Sequence, residues 1–278
     1  MIETGVRRWS VAPSTLIVGA FLIVVAAVGT IALEPPAPAA PGIATPSTGA
    51  LRTRSLPQPV QPAFIVPRPV PLSSSRSVSH WAPVALAITA RTHPDVQAPV
   101  IAELSTSTPE GTQNIAQVLT TAKGRDGRLW ARVRLPVLPN NTVGWVPRTA
   151  LGGLGVVRTR LIVDLDARTA TLYRSGEAIF NAPVGVGRAA WPTPRGRFYI
   201  RNKLTSFSSA AYGPLAFGTS ARSDVLTDWP AGGFIGIHGT DQPELLPGAV
   251  SHGCIRMSND DILELGRLMP VGTPLTIR

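Results

Sequence analysis

The chain holds four histidines and one cysteine, and two of the histidines stand close to that cysteine. They fall in His238-Gly239-Thr240 and in Ser251-His252-Gly253-Cys254-Ile255-Arg256. A thiol attacks carbonyl carbon well only as its anion, and a free thiol ionises near pH ~8.5. An imidazole within hydrogen-bond reach can take the proton and return it to a leaving group. Gly253 before Cys254 permits a tight turn whose amides can face a developing oxyanion. Each residue also has an ordinary reading: a lone cysteine is often a small buried hydrophobe, and a lone histidine a structural residue. A mixed zinc site from His238, His252, Cys254 and Asp241 is a further alternative. The joint pattern favours nucleophilic catalysis over these single-residue readings, with the one thiol as nucleophile and a nearby imidazole as base.

Elements must carry these residues to one place. Gly232–His238 is an apolar run suited to a buried strand ending on His238. Leu161–Leu165 and Thr169–Tyr173 flank Asp166–Arg168 as a hairpin, and Ser175-Gly176 turns into a strand at Glu177–Ala182. Ser258 with Asp261 is a capping box for a helix whose face is Ile262, Leu265 and Leu268, and Pro270 ends it. Leu275–Ile277 is a closing strand. Gly185-Val186-Gly187 lacks the helix and acidic partner of a dinucleotide fingerprint. Upstream, Trp130–Leu135 alternates apolar and polar residues, Gly124–Gly127 and Asn140-Asn141 mark turns, and Thr142–Pro147 is strand-like. Ile115–Leu119 is a strand or short turn. Residues 80–157 therefore predict a small all-β unit. Trp130 and Trp145 are core residues of that unit or ligand-facing aromatics; this unit predicts binding or spacing, not catalysis.

The pattern His238…Ser251-His252-Gly253-Cys254-Ile255-Arg256 resembles the signature of the L,D-transpeptidase catalytic domain of the YkuD type. Thr193-Pro194-x-Gly196-x-Phe198 looks like that family's lead into a central strand, and the resemblance covers residues 158–278. The pieces GRLWARVRL and GWVPRTAL resemble the last strands of bacterial SH3-like domains. The fold expected is mainly β: an L,D-transpeptidase-like β-sandwich preceded by a small SH3-like domain. The resemblance implies Cys254 as nucleophile, His238 as general base, and His252 and Gly253 lining the site, with the Gly253 and Cys254 amides as oxyanion hole. It places Gly239 where the main-chain carbonyl holds the base histidine, without a side chain. Ser251 and Arg256 shape the turn or contact substrate, and Tyr212 is a substrate-loop candidate. The implied substrates are peptidoglycan stem peptides, cross-linked through a cysteine thioester, with carbapenems as covalent inhibitors and no metal or cofactor. Alternatives are an L,D-carboxypeptidase or endopeptidase, and a non-catalytic wall-binding anchor.

Arg7 and Arg8 precede an apolar stretch, strongest over Leu16–Leu33. That length suffices for a transmembrane helix, and the preceding charge predicts a cytoplasmic N-terminus. Residues 1–33 are thus read as cytoplasmic tip and membrane anchor, the alternative being a cleaved signal peptide. Residues 34–79 are rich in proline and predict an extended tether. Everything after the anchor is expected outside the cell membrane. The 278-residue chain has 26 Lys+Arg against 16 Asp+Glu, a formal charge of +10. The basic residues are scattered, without the run or face of a nucleic-acid binder. One cysteine excludes an intramolecular disulfide.

Overall fold

The computed structural model describes residues 72, 78–205, 209–227 and 233–278. The apolar stretch 16–33 and nearly all of the proline-rich segment lie outside them. The described residues are mainly β, as expected, and form two sheets within one compact unit.

The first sheet holds β1 (Ser79–Pro83), β2 (Ile88–Arg91), β3 (Val100–Leu104), β4 (Ile115–Lys123), β5 (Leu129–Arg134), β6 (Val143–Pro147) and β7 (Gly155–Val157). Their order is β3-β2-β6-β5-β4-β1-β7. The turn at Gly124–Gly127 joins β4 to β5: Gly127 has φ of 76° and its N–H reaches Gly124 O at 3.0 Å. A side chain would be strained at that angle. The core is built from small and branched residues, among them Ala82, Ala90, Ala116, Val118, Ala131, Val133 and Val146. Trp130 is fully buried, which settles it as a core residue. Trp145 is half-buried on β6 opposite Arg132.

The second sheet holds β8 (Thr159–Asp164), β9 (Thr169–Arg174), β10 (Glu177–Pro183), β11 (Gly185–Gly187), β12 (Gly196–Leu204), β13 (Ala216–Arg222), β14 (Phe234–His238), β15 (Gly248–Ser251), β16 (Ile255–Arg256) and β17 (Pro274–Ile277). The order is β10-β9-β8-β17-β12-β13-β14-β16-β11-β15. Leu161, Leu172 and Phe180 from one flank share a core with Phe217, Ile237 and Ile255 from the other. The sheet therefore folds over on itself. Helix α1 (Asn259–Leu268) packs into the same core through Ile262 and Leu265. Ser258 caps it, accepting the Asp261 N–H at 3.1 Å and bonding its carboxylate at 2.6 Å. This satisfies a helix-end donor that would otherwise lack a partner.

Strand β12 decides how the sheets meet. Phe198 through Asn202 are all buried, against the alternation a one-sided strand shows. Phe198 and Ile200 enter the second sheet's core. Tyr199 turns to the first sheet, where its hydroxyl donates to Ile115 O at 3.0 Å. Asn202 reaches Thr112 Oγ1 at 3.0 Å and Glu110 Oε2 at 3.1 Å. Asn140 and Arg222 exchange two hydrogen bonds, at 2.7 and 3.0 Å, and Asn141 Oδ1 accepts the Arg197 N–H at 2.6 Å. Trp81 packs so close to Gly272 that a Cβ there would collide with its ring. A loosely tethered spacer would leave these groups to water.

Candidate active site

Strand β16 lies parallel to β14, with Ile255 opposite Ile237 and Arg256 opposite His238. Cys254, one residue earlier, therefore falls beside Gly236. The Gly236 N–H meets Cys254 Sγ at 3.4 Å. The point a Cβ would occupy on Gly236 is 3.8 Å from Sγ and 3.8 Å from His238 Cδ2. Sulfur and imidazole thus both lie within van der Waals reach of the position a Gly236 side chain would take.

The ring of His238 is fixed at its far nitrogen. Nδ1 lies 2.6 Å from Gly239 O. A carbonyl only accepts, so Nδ1 carries the hydrogen and Nε2 keeps its lone pair. Gly239 bears no side chain because a Cβ would collide with Asn259 Oδ1 and lie 3.1 Å from Gly213 Cα. Its carbonyl does the holding. Tyr212 covers the ring, with centroids 4.6 Å apart.

Burial depresses the His238 pKa from 6.5 to about 4; the Gly239 bond opposes the shift and the Arg256 charge adds to it. Burial raises the Cys254 thiol, against the Gly236 hydrogen bond and Arg256, which lower it. Burial thus favours the neutral form of each group, since an ion pair here would give up hydration. A neutral imidazole is the form that can accept the thiol proton during attack.

The turn carrying the cysteine is tied from within. Ser251 is 1% exposed. Its hydroxyl donates to Cys254 O at 2.5 Å and accepts the Gly253 N–H at 3.0 Å. Of its two expected roles the hydroxyl serves the turn. It also changes the expected oxyanion hole, since the Gly253 N–H is already engaged and points at Ser251. Gly253 has φ of 115°, and a Cβ would press on Ile235 Cδ1 at 3.0 Å. His252 is exposed, its ring tilted against Trp191 with centroids 4.2 Å apart. Arg256 is half-buried, and its Nε is a buried donor with no hydrogen-bond partner among the described residues.

Tyr212, His238, Ser251, His252, Cys254 and Arg256 line one pocket of about 140 Å³, together with Ser223 and Phe234. Gly239 and Gly253 stand behind it and act through backbone. Among the described residues no group of three or more His, Cys, Asp and Glu is placed to hold a metal ion, so the four groups of the zinc alternative are not assembled as a ligand set. Sequence reasoning missed Thr193 as a site residue. Its hydroxyl donates to Gly253 O at 2.7 Å and accepts the Gly187 N–H at 2.8 Å, tying the β11–β12 connection to the cysteine turn. Its place in the Thr193-Pro194 pair was visible, but its partner lies sixty residues on in the chain.

Comparison with known proteins places this geometry. Residues 158–277 match the family model of YkuD, the L,D-transpeptidase catalytic domain. The chain is 36% identical over 118 residues to "Putative L,D-transpeptidase YkuD" of Bacillus licheniformis, covering 42% of this chain and 64% of that protein. It is 34% identical over 117 residues to the protein of the same name in Bacillus subtilis, again covering 42% and 64%. The chain thus spans 64% of the length of these curated relatives. Among solved structures, the NMR structure of the catalytic domain from the E. faecium L,D-transpeptidase is 26% identical and covers 43% of this chain and 96% of its own, with a TM-score of 0.34. The LD transpeptidase LdtMt1 in complex with imipenem is 19% identical and covers 76% and 100%, with a TM-score of 0.39.

Proposed function

We propose that this chain is an exported cysteine L,D-transpeptidase that joins peptidoglycan stem peptides. The observation that carries the reading is the pairing of Cys254 and His238 across Gly236, with the imidazole held through Nδ1 so that Nε2 serves the sulfur. Match to the YkuD catalytic domain over residues 158–277 supports the reaction class.

The chemistry follows from the atoms. Cys254 Sγ attacks the carbonyl of the third stem residue while its proton passes to His238 Nε2. Negative charge builds on the carbonyl oxygen. With the Gly253 N–H given to Ser251, the Cys254 N–H is the turn donor we assign to that oxygen. His238 returns the proton to the departing D-amino acid, leaving a thioester on Cys254. An amine from a neighbouring stem then attacks, His238 takes its proton, and the thiol is regenerated as the new amide forms. The amide broken supplies the energy for the amide made, so the reaction needs no nucleotide outside the cell. Water in place of the amine gives a carboxypeptidase with the same residues.

Arg256 suits an anionic group of the donor, because its buried Nε has no partner among the described residues. Residues 16–33 are read as the anchor, residues 34–79 as the tether and the first sheet as the SH3-like module. Among the described residues no helix is long and apolar enough to cross a membrane, and the candidate span lies outside them.

A carbapenem tests the reading directly, since imipenem is bound in the structure of LdtMt1. Intact-mass measurement after imipenem treatment is expected to show one adduct on the wild type and none on Cys254→Ala. An unmodified wild-type protein would overturn the assignment. Incubation of a stem tetrapeptide with and without an amine acceptor then separates cross-linking from hydrolysis.

A further inference from the structure

Arg201 is a charged side chain only 2% exposed. A buried cation needs a counter-charge and filled hydrogen bonds, or it destabilises the fold. Its Nε donates to Thr219 O at 2.9 Å, within its own sheet. Its carboxylate comes from elsewhere: Nη2 meets Glu110 Oε1 at 3.0 Å and Oε2 at 3.3 Å. Glu110 stands in the connection between β3 and β4, strands of the first sheet. The pairing of β12 with β13 shifts register between Ile200 and Asn202, so Arg201 is the extra residue of a bulge. Bulges redirect a side chain, and this one sends Arg201 toward Glu110 and Phe234.

The guanidinium carbon of Arg201 lies 3.7 Å from the centroid of Phe234, and that of Arg222 lies 4.9 Å from it. Phe234 lines the pocket beside Cys254 and His238. It opens strand β14, two residues before the Gly236 amide that meets the sulfur. Arg222 is held from the β5–β6 turn of the first sheet, where the Asn140 side chain bonds both its main-chain N–H and its carbonyl. Ser223, the next residue, lines the same pocket. Two contacts from the first sheet therefore end on one pocket wall.

We propose that the first sheet is a working part of the catalytic pocket: Glu110 and Asn140 are positioning residues that, through Arg201 and Arg222, hold the Phe234–Ser223 wall against which the acyl donor is seated. The donor's identity rests on the function proposed above; the buttress itself rests on the contacts. A salt bridge serving stability alone would make a different prediction. Loss of the wall changes how a peptide is seated but not the encounter of the thiol with a small alkylating agent.

The test compares wild type, Glu110→Gln, Glu110→Asp, Asn140→Ala and Tyr199→Phe, all in the full chain. Tyr199→Phe removes another bond between the sheets without touching the wall. Glu110→Gln is expected to lower kcat/KM for a stem tetrapeptide about tenfold, mainly through KM. Iodoacetamide alkylation of Cys254 should stay at the wild-type rate, and Glu110→Asp should restore part of the loss. Tyr199→Phe should lower the melting temperature and leave kcat/KM unchanged. Where Glu110→Gln fails to fold, Asn140→Ala supplies the same comparison. The proposal is overturned if the folded Glu110→Gln or Asn140→Ala protein keeps wild-type kcat/KM, or if alkylation falls in the same proportion. A wild type that is not acylated overturns both this inference and the assigned function; a normal wild type with an unaffected wall variant overturns this inference only.

Discussion

A neutral imidazole at the bottom of the pocket has a measurable signature in stability. The unfolded chain takes up a proton at His238 as pH falls through its ordinary value of 6.5, whereas the folded chain does so only near pH 4, because burial penalises the charged ring. Between those values the unfolded state binds more protons, so the contribution is complete above pH 6.5 and is lost as pH falls toward 4. The loss is about 3 kcal/mol at the lower end of that window. His238→Gln should unfold at a temperature less dependent on pH between 7 and 4 than the wild type does. A parallel decline in both proteins, followed by thermal unfolding, would contradict the buried neutral assignment. At this scale the residue types were legible from the sequence: one thiol, two imidazoles and a glycine-bearing turn name their chemistry by composition and order. Protonation was not legible, since it depends on water excluded by groups far along the chain, such as Tyr212 over the ring. The occupied Gly253 amide was equally hidden, because only a folded turn shows that the Ser251 hydroxyl takes it.

The elements that bring the pair together have weak links and strong ones. Thr193 is 5% exposed and holds two main-chain groups at once, the Gly187 N–H and the Gly253 carbonyl. Thr193→Val keeps the shape and strands both partners. Each buried group left without a bond costs about 1–3 kcal/mol, so the melting temperature should drop and imipenem acylation should slow, because the cysteine turn loses its outer tie. Unchanged acylation kinetics in that variant would mean the turn is held by Ser251 alone. The main strands, their turns and the capped helix were readable because alternation, glycine turns and the Ser258–Asp261 pair are local signals. Strand β12 was harder. Its expected lead-in lay at Thr193 to Phe198, and the strand continues to Leu204 with Arg201 and Asn202 buried. Buried polar residues break the pattern that periodicity reads, and their partners Glu110 and Thr112 come from the connection between β3 and β4.

For the whole molecule, the described residues form a folded-over sheet that carries the pocket and a second sheet in contact with it, and residues 1–33 are proposed as a membrane anchor. Full-length protein is expected to sediment with membranes and to require detergent for release, whereas deletion of residues 1–33 should leave it in the soluble fraction. Full-length protein recovered without detergent would argue for the cleaved-signal alternative. The mainly β architecture was determined by sequence alone, because it rests on short-range periodicity that any stretch carries with it. The partnership of Glu110 with Arg201, the packing around Phe234 and the engaged Gly253 amide were decided by tertiary structure. Each depends on desolvation and on contacts between residues distant in the chain, and those come into being only when the sheets close on one another.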